Sequence, residues 1–281
     1  MKRFFFTVIG LMFLSSCSSK FAYDNIDWWV YWYLDDYIEL SNEQEEQFDT
    51  YLDNWLSWHK ASELVRYKDQ LERLKGQVVN NQLDYQQITN HFDEAKQHWS
   101  RVRSEVGPEL VKMAKGLRDD QVVTLFAALE KENVEEEEEL EERKENTPEG
   151  RKKSRIKRME DNLTSRIGDL SEEQKQIVAS YAEQFVPTSE EWIAYRRNIQ
   201  NAARRLFVAR NVDSQFEEKL LALMKQPESY RSEVFNEASA HNTKVMATLI
   251  AEIATTLSAK QRETLVENLN ELIETVENFQ R

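Results

Sequence analysis

The side chains able to do covalent or acid–base chemistry are few in kind: one cysteine (Cys17), four histidines (His59, His91, His98, His241) and 51 carboxylates among 281 residues. Cys17 closes a stretch in which Lys2-Arg3 precede eleven mostly apolar residues, Phe4 to Leu14, and then Ser15-Ser16. That is the layout of a signal peptide with a small-residue cleavage site, and the apolar run is too short to span a bilayer as a helix. A thiol placed there is expected to carry lipid rather than to pack in a core, and a lone cysteine forms no internal disulfide. The histidines include no His-Glu-x-x-His pattern and the six glycines build no phosphate-cradling loop, so neither metal nor cofactor is expected. Asp35-Asp36 could act as a paired acid and base, but neighbouring carboxylates arise by chance in so acidic a chain. Trp58-His59 reads as a packed ring beside a satisfied imidazole. No catalytic residue is assigned, and the chain reads as a non-enzyme.

Leu14-Ser15-Ser16-Cys17 resembles the bacterial lipobox, in which cleavage leaves the cysteine first and lipids are attached to it. With Ser18 after it, rather than Asp, the resemblance implies a periplasm-facing protein held to the outer membrane through lipid on Cys17. Residues 1–16 are then the signal peptide and 17–23 a lipidated tether. Without Lys2 and Arg3 the mature chain keeps 35 bases against 51 acids, a net charge of -16. Such an excess argues against nucleic acid as a partner, because phosphates are held by clustered Lys and Arg.

The densest candidate for a binding surface is Asp27-Trp28-Trp29-Val30-Tyr31-Trp32-Tyr33-Leu34-Asp35-Asp36-Tyr37. Trp28 with Trp32, and Trp29 with Tyr33 and Tyr37, form two i,i+4 rows, more than one buried stripe needs. Either the helix packs on several neighbours, or one row stays open to bind apolar segments or to lie at a membrane interface. With Trp58-His59-Lys60 and Glu63-Leu64-x-x-Tyr67, the segment resembles an uncharacterised family of proteobacterial lipoproteins with Trp-Tyr-Leu-Asp-Asp after the lipobox and Trp-His-Arg further on. Lys60 stands where that pattern has Arg. The resemblance implies kind and place, and carries no activity with it.

What must position these residues is helical. Gly and Pro together number 10, about 4% of the chain, against a globular average of roughly 12%. Phe48, Tyr51, Leu52, Trp55 and Leu56 follow steps of three and four, as do Leu265, Leu269, Leu272, Ile273 and Val276. Ser41-Asn42-Glu43-Gln44, Ser171-Glu172-Glu173-Gln174 and Ser258-Ala259-Lys260-Gln261 are capping boxes, each preceded by Leu. A fourth copy, Leu117-Arg118-Asp119-Asp120-Gln121, has Arg for Ser, leaving Asp119 as the expected cap. Asp84-x-x-Gln87 adds a further box, Thr147-Pro148 a helix start, and Pro187 and Pro227 breaks.

Leu40 recurs as Leu170, Leu83-Asp84-x-Gln86 as Val212-Asp213-x-Gln215, and Arg103-Ser104-Glu105-Val106 as Arg231-Ser232-Glu233-Val234, at offsets of 130, 129 and 128 residues. The expected fold is an all-α multi-helix bundle built from two related helical halves, 24–145 and 151–281, joined by a turn at 146–150. The Leu-Ser-x-x-Gln pattern also resembles the Leu-Thr-x-x-Gln motif of the Spy and CpxP family of helical periplasmic proteins, which implies a chaperone-like role. Ten acids between Glu130 and Glu145 face six bases between Arg151 and Arg158 across that turn. They are expected to pair with each other, the alternative being a basic arm that reaches lipid phosphates or a partner. The function read from the sequence is a non-enzymatic, lipid-anchored module binding protein or envelope components, either chaperone-like or purely structural.

Overall fold

The computed structural model describes residue 23 and residues 25–144 and 147–281. The signal segment and Cys17 lie outside the described residues, as does part of the expected turn. Every regular element among the described residues is helical. In chain order these are α1 (Ile26–Leu34), α2 (Asn42–Trp58), a π-helical turn (His59–Glu63), α3 (Leu64–Val79), α4 (Tyr85–Lys115), α5 (Asp119–Lys144) and α6 (Pro148–Ile167). There follow α7 (Glu172–Ala182), α8 (Ser189–Ala209), α9 (Phe216–Lys225), a 3-10 turn (Pro227–Tyr230), α10 (Glu233–Thr255) and α11 (Ala259–Gln280).

Side-chain caps set most of the starts. Ser41, Ser171 and Ser258 each accept from the third amide of the helix while Gln44, Gln174 and Gln261 return the bond, completing three capping boxes. Thr147 caps α6 ahead of Pro148. Asp84 caps α4 through the Gln87 amide, but the Gln87 side chain turns instead to Gln77, so that box is half made. Asn81, at φ 55°, ends α3 in the left-handed region that Asn tolerates.

Packing joins the chain across residues 145–147. The last helix, α11, lies along α3; α4 carries α9 and α10; and α5 packs on α8. One core cluster, Val111, Phe126, Phe207, Phe216 and Leu220, is built from both sides of the turn. A second, Ile167, Val178, Leu249 and Ile253, belongs to α6, α7 and α10, and a third, Phe48, Leu52 and Met113, to α2 and α4. Gly107 makes the α4–α9 contact close, since a Cβ there would meet Leu221 Cδ1 at 2.9 Å.

The two charged runs do not meet in the expected way. Among the described residues, the acids of α5 pair with α8: Glu130 and Glu137 hold Arg197 at 3.0 and 2.7 Å, and Glu132 and Glu136 hold Arg196. The bases of α6 turn to α7, where Lys152 meets Glu183 and Arg155 donates to the carbonyls of Ala182 and Phe185. Each run meets the helix it packs against, and α5 packs on α8 while α6 packs on α7, so nearness in sequence across the turn counts for little.

Candidate functional site

Eight of the nine residues of α1 are apolar or aromatic, yet none is buried. Val30, Tyr31 and Leu34 rest on the cluster around Phe48 and Leu52, and Tyr31 donates to Asp49 at 2.7 Å. Trp28 and Tyr33 are exposed, at 57% and 43%, while Trp29 and Trp32 are half-buried in an edge-to-face chain with Trp28. The two rows therefore do not divide into one buried and one open. Tyr37, one of the candidate binding-surface residues, is in the core: it follows the end of α1, where the chain turns inward, and its hydroxyl donates to Glu132 of α5. Burial and that bond push its phenol well above the usual range.

A second assembly forms where α2 runs into α3. The π turn, in which the Leu64 amide donates to the His59 carbonyl five residues back, adds one residue to the helical repeat and places Glu63 against α4. Glu63 is fully buried. Arg101 binds both its oxygens, Nε donating to Oε1 at 2.6 Å and Nη2 to Oε2 at 3.2 Å, and His98 Nδ1 lies 3.0 Å from Oε2 as well. Burial pushes the carboxyl up, but the bonds and charge of Arg101 and His98 outweigh it and hold the group below the usual carboxylate range. Gln70 extends the network: its Nε2 donates to the His91 carbonyl at 2.9 Å, and its Oε1 lies 3.0 Å from His98 Nε2. His91 continues the chain to Gln77 at 2.9 Å, and burial pushes its imidazole down. The result is a polar seam between α3 and α4 whose members satisfy one another, with no open path to the Glu63 carboxylate. His59 sits at its edge, half-buried, 3.0 Å from the Tyr23 hydroxyl.

The glutamines of the four Leu-x-x-x-Gln segments do more than cap. Gln44 and Gln121 exchange reciprocal amide bonds of 3.2 and 2.7 Å, and Gln174 and Gln261 do the same at 3.0 and 2.8 Å. Each Nε2 also reaches the carbonyl just before its partner's Leu: Gly116, Glu39, Thr256 and Asp169. Each Oε1 accepts in addition from its own cap amide, including Arg118 at 2.9 Å. Two donors and two acceptors per amide are thereby filled, which is why Gln174 tolerates complete burial. Asp119, expected to cap α5, instead binds Arg210.

Between α3, α4, α6, α10 and α11 lies an apolar cavity of about 510 Å³, walled by residues such as Leu74, Leu163, Leu249 and Leu265, with His91 and Arg166 at its margin. It shares Phe92 and Met246 with a wider cleft of about 980 Å³ between α4, α10 and the breaks flanking α8 and α10. That cleft carries Lys96, Arg103, Arg231 and the 61% exposed Trp99.

Residues 36–236 match the model of a family of unknown function, DUF6279, over more than two thirds of the chain. The chain belongs to that family. No curated protein and no solved structure matches it. The span shared with DUF6279 takes in the Glu63 seam, the cleft residues Arg103 and Arg231, and three of the four paired glutamines. It starts after α1 and ends before Ser258 and Gln261. Among the described residues no helix is long and apolar enough to cross a membrane, and no group of three or more His, Cys, Asp or Glu could hold a metal.

Proposed function

We propose that this DUF6279 member is a lipid-anchored, periplasm-facing binding module of the outer membrane that does no catalysis, with α1 as its contact surface for protein or envelope components. The observation that carries this reading is α1 itself, the most apolar stretch of the folded part, with none of its residues buried. Burying a large apolar side chain is worth about 1.5–3 kcal/mol, so a helix of this composition left at the surface is stabilised by whatever comes to cover it. Ile26 is nine residues from Cys17, which limits its distance from the lipid to roughly 30 Å even for a fully extended tether. Trp and Tyr favour contact zones that are part apolar and part wet.

The chaperone-like form of this function, which the Leu-Ser-x-x-Gln pattern suggests, is tested directly. The protein should slow aggregation of unfolded clients without ATP, and Trp28→Ser with Tyr33→Ser should abolish the effect while circular dichroism stays unchanged. Absence of suppression with several unrelated clients would leave the structural reading, which the packing of Val30, Tyr31 and Leu34 on α2 favours. For the anchor, Cys17→Ser should release the protein from the membrane fraction. Full retention after a carbonate wash would refute lipid attachment at that residue.

A further inference from the structure

The cavity and the cleft adjoin, with Phe92 and Met246 lining both, and they differ in chemistry. Its inner part is nearly all aliphatic, and its volume of about 510 Å³ falls within the ~300–1,000 Å³ of small-molecule pockets. An apolar space of that size, lined from five helices, suits a flexible hydrocarbon chain. Past Phe92 and Met246 the wall changes. The cleft is lined by three bases, Lys96, Arg103 and Arg231, and one acid, Glu228. Glu228 accepts from Arg103 at 2.9 Å and cannot neutralise both arginines. Arg231 lies 5.3 Å from the ring centroids of Tyr195 and Phe235, which attract its charge without cancelling it. The Nε–H groups of both arginines are buried without an acceptor, an uncommon state for a polar group. Lys96 is paired with Asp93 at 2.9 Å, so the positive charge left over in the cleft, in a chain with a net charge of -14, is that of Arg231 beside the apolar cavity.

From this juxtaposition we infer that the protein binds an acyl lipid with an anionic headgroup, its hydrocarbon chain in the cavity behind Phe92 and Met246 and its head against Arg103, Arg231 and Lys96. The inference does not rest on the lipid on Cys17 or on α1, none of whose residues lines the site. An apolar space adjoining a cleft lined by cations is complementary to an anionic amphiphile and to neither half of one alone.

The test is native mass spectrometry of the full chain titrated with three probes: palmitoyl lysophosphatidylglycerol, palmitoyl lysophosphatidylcholine and glycerol 3-phosphate. The anionic lysolipid should give a one-to-one adduct at least tenfold tighter than the zwitterionic one, and glycerol 3-phosphate should give none. Arg103→Gln combined with Arg231→Gln should remove the preference for the anionic head. Ala254→Phe, which grows into the cavity, should remove both lysolipid adducts, and circular dichroism checks its fold; should it unfold, the arginine variant decides the matter. Equal affinity for the two lysolipids would overturn the inference, as would a preference unchanged in the arginine variant. Binding of glycerol 3-phosphate as tight as that of the anionic lysolipid would show a plain anion site and overturn it too.

Discussion

Ser41 to Gln121 and Ser171 to Gln261 open and close on the same residues and differ in between. In the first stretch α2 passes through the π turn into α3 without leaving the helix, and α4 runs 31 residues straight through Pro108. In the second, the chain leaves the helix after Ala182, resumes at Ser189, and is interrupted again between Lys225 and Glu233. The two prolines show why. A proline disfavours helical backbone at the residue before it by clashing with that residue's Cβ. Gly107, before Pro108, has no Cβ to clash, whereas Gln226, before Pro227, is driven to φ -128° and ψ 52°. The breaks have a use: Phe185, Glu228 and Arg231 come from them or their edges, and with the uninterrupted face of α4 they make the cleft. Asn242 holds the first break in place, pairing with both the N–H and the C=O of Val186 at 2.9 and 2.8 Å. Leu-x-x-x-Gln segments thus stand at matching helix starts in both stretches, and the residues between decide whether a rod or a cleft results.

The largest effect should come from the residue that makes the first stretch a rod. Glu63→Ala leaves Arg101 and His98 without their buried acceptor, and removing one partner of such a group costs about 3–5 kcal/mol. Urea denaturation at pH 7 should show that loss, with no comparable residue in the second stretch. The Glu63 carboxyl is held below its unfolded value, so its contribution is fully present above the ordinary glutamate pKa of about 4.3 and is lost as pH falls through the lower folded value. The gap between wild type and Glu63→Ala should therefore be constant from neutral pH to about pH 5 and narrow below about 4. A gap that widened on acidification would mean Glu63 is protonated in the native state.

Next come the glutamine pairs, alike in bonding and unlike in burial. Gln174 is fully buried and Gln44 is not. Gln174→Ala orphans the Gln261 amide where water does not reach, at about 1–3 kcal/mol per group, and leaves a cavity besides. Gln44→Ala also orphans a buried amide, that of Gln121, but removes a side chain that is only half-buried, so its cost should be smaller. A double-mutant cycle on Gln174 and Gln261 should give a coupling of about 0.5–3 kcal/mol, above that of Gln44 and Gln121. Equal couplings would show that burial does not separate the two pairs.

These pairs mark the limit of what the sequence discloses. The helix starts at Ser41, Ser171, Ser258, Asp84 and Thr147-Pro148 are legible because a cap is a bond across three residues. The same glutamines also bridge helices 77 and 87 residues apart, and no local pattern distinguishes a Gln that only caps from one that also pairs. Glu63 was hidden differently. It is one carboxylate among 51, and the π turn that directs it inward leaves the apolar spacing intact on either side. The aromatic run of α1 is visible, but exposure depends on which faces its neighbours cover, so the pattern alone leaves open that Tyr37 lies within while Trp28 and Tyr33 stay exposed. The acidic run of α5 was visible as well; its partners Arg196 and Arg197 lie some sixty residues away, beyond any reading by proximity.

The smallest effect would make the two stretches more alike. Of the four cap positions only Arg118 lacks a hydroxyl, and its amide nevertheless donates to Gln121 Oε1, because that half of the box needs only backbone. What is missing is the hydroxyl that caps the third amide in the other three copies, and Asp119 does not replace it, since its carboxylate is engaged by Arg210. Arg118→Ser adds that hydroxyl. It also removes a guanidinium whose side-chain bonds go to the exposed Asp120, two residues on, where solvent screens the pair. The balance favours the serine, and Tm should rise by about 1–3 °C. Ser41→Ala, Ser171→Ala and Ser258→Ala should each go the other way, by about 0.5–2 kcal/mol, with Ser171 and Ser258 at the upper end because their boxes adjoin the more deeply buried pair. A fall in Tm for Arg118→Ser would mean that the arginine holds the first junction together in some way other than capping, and that the two stretches share less than their glutamines suggest.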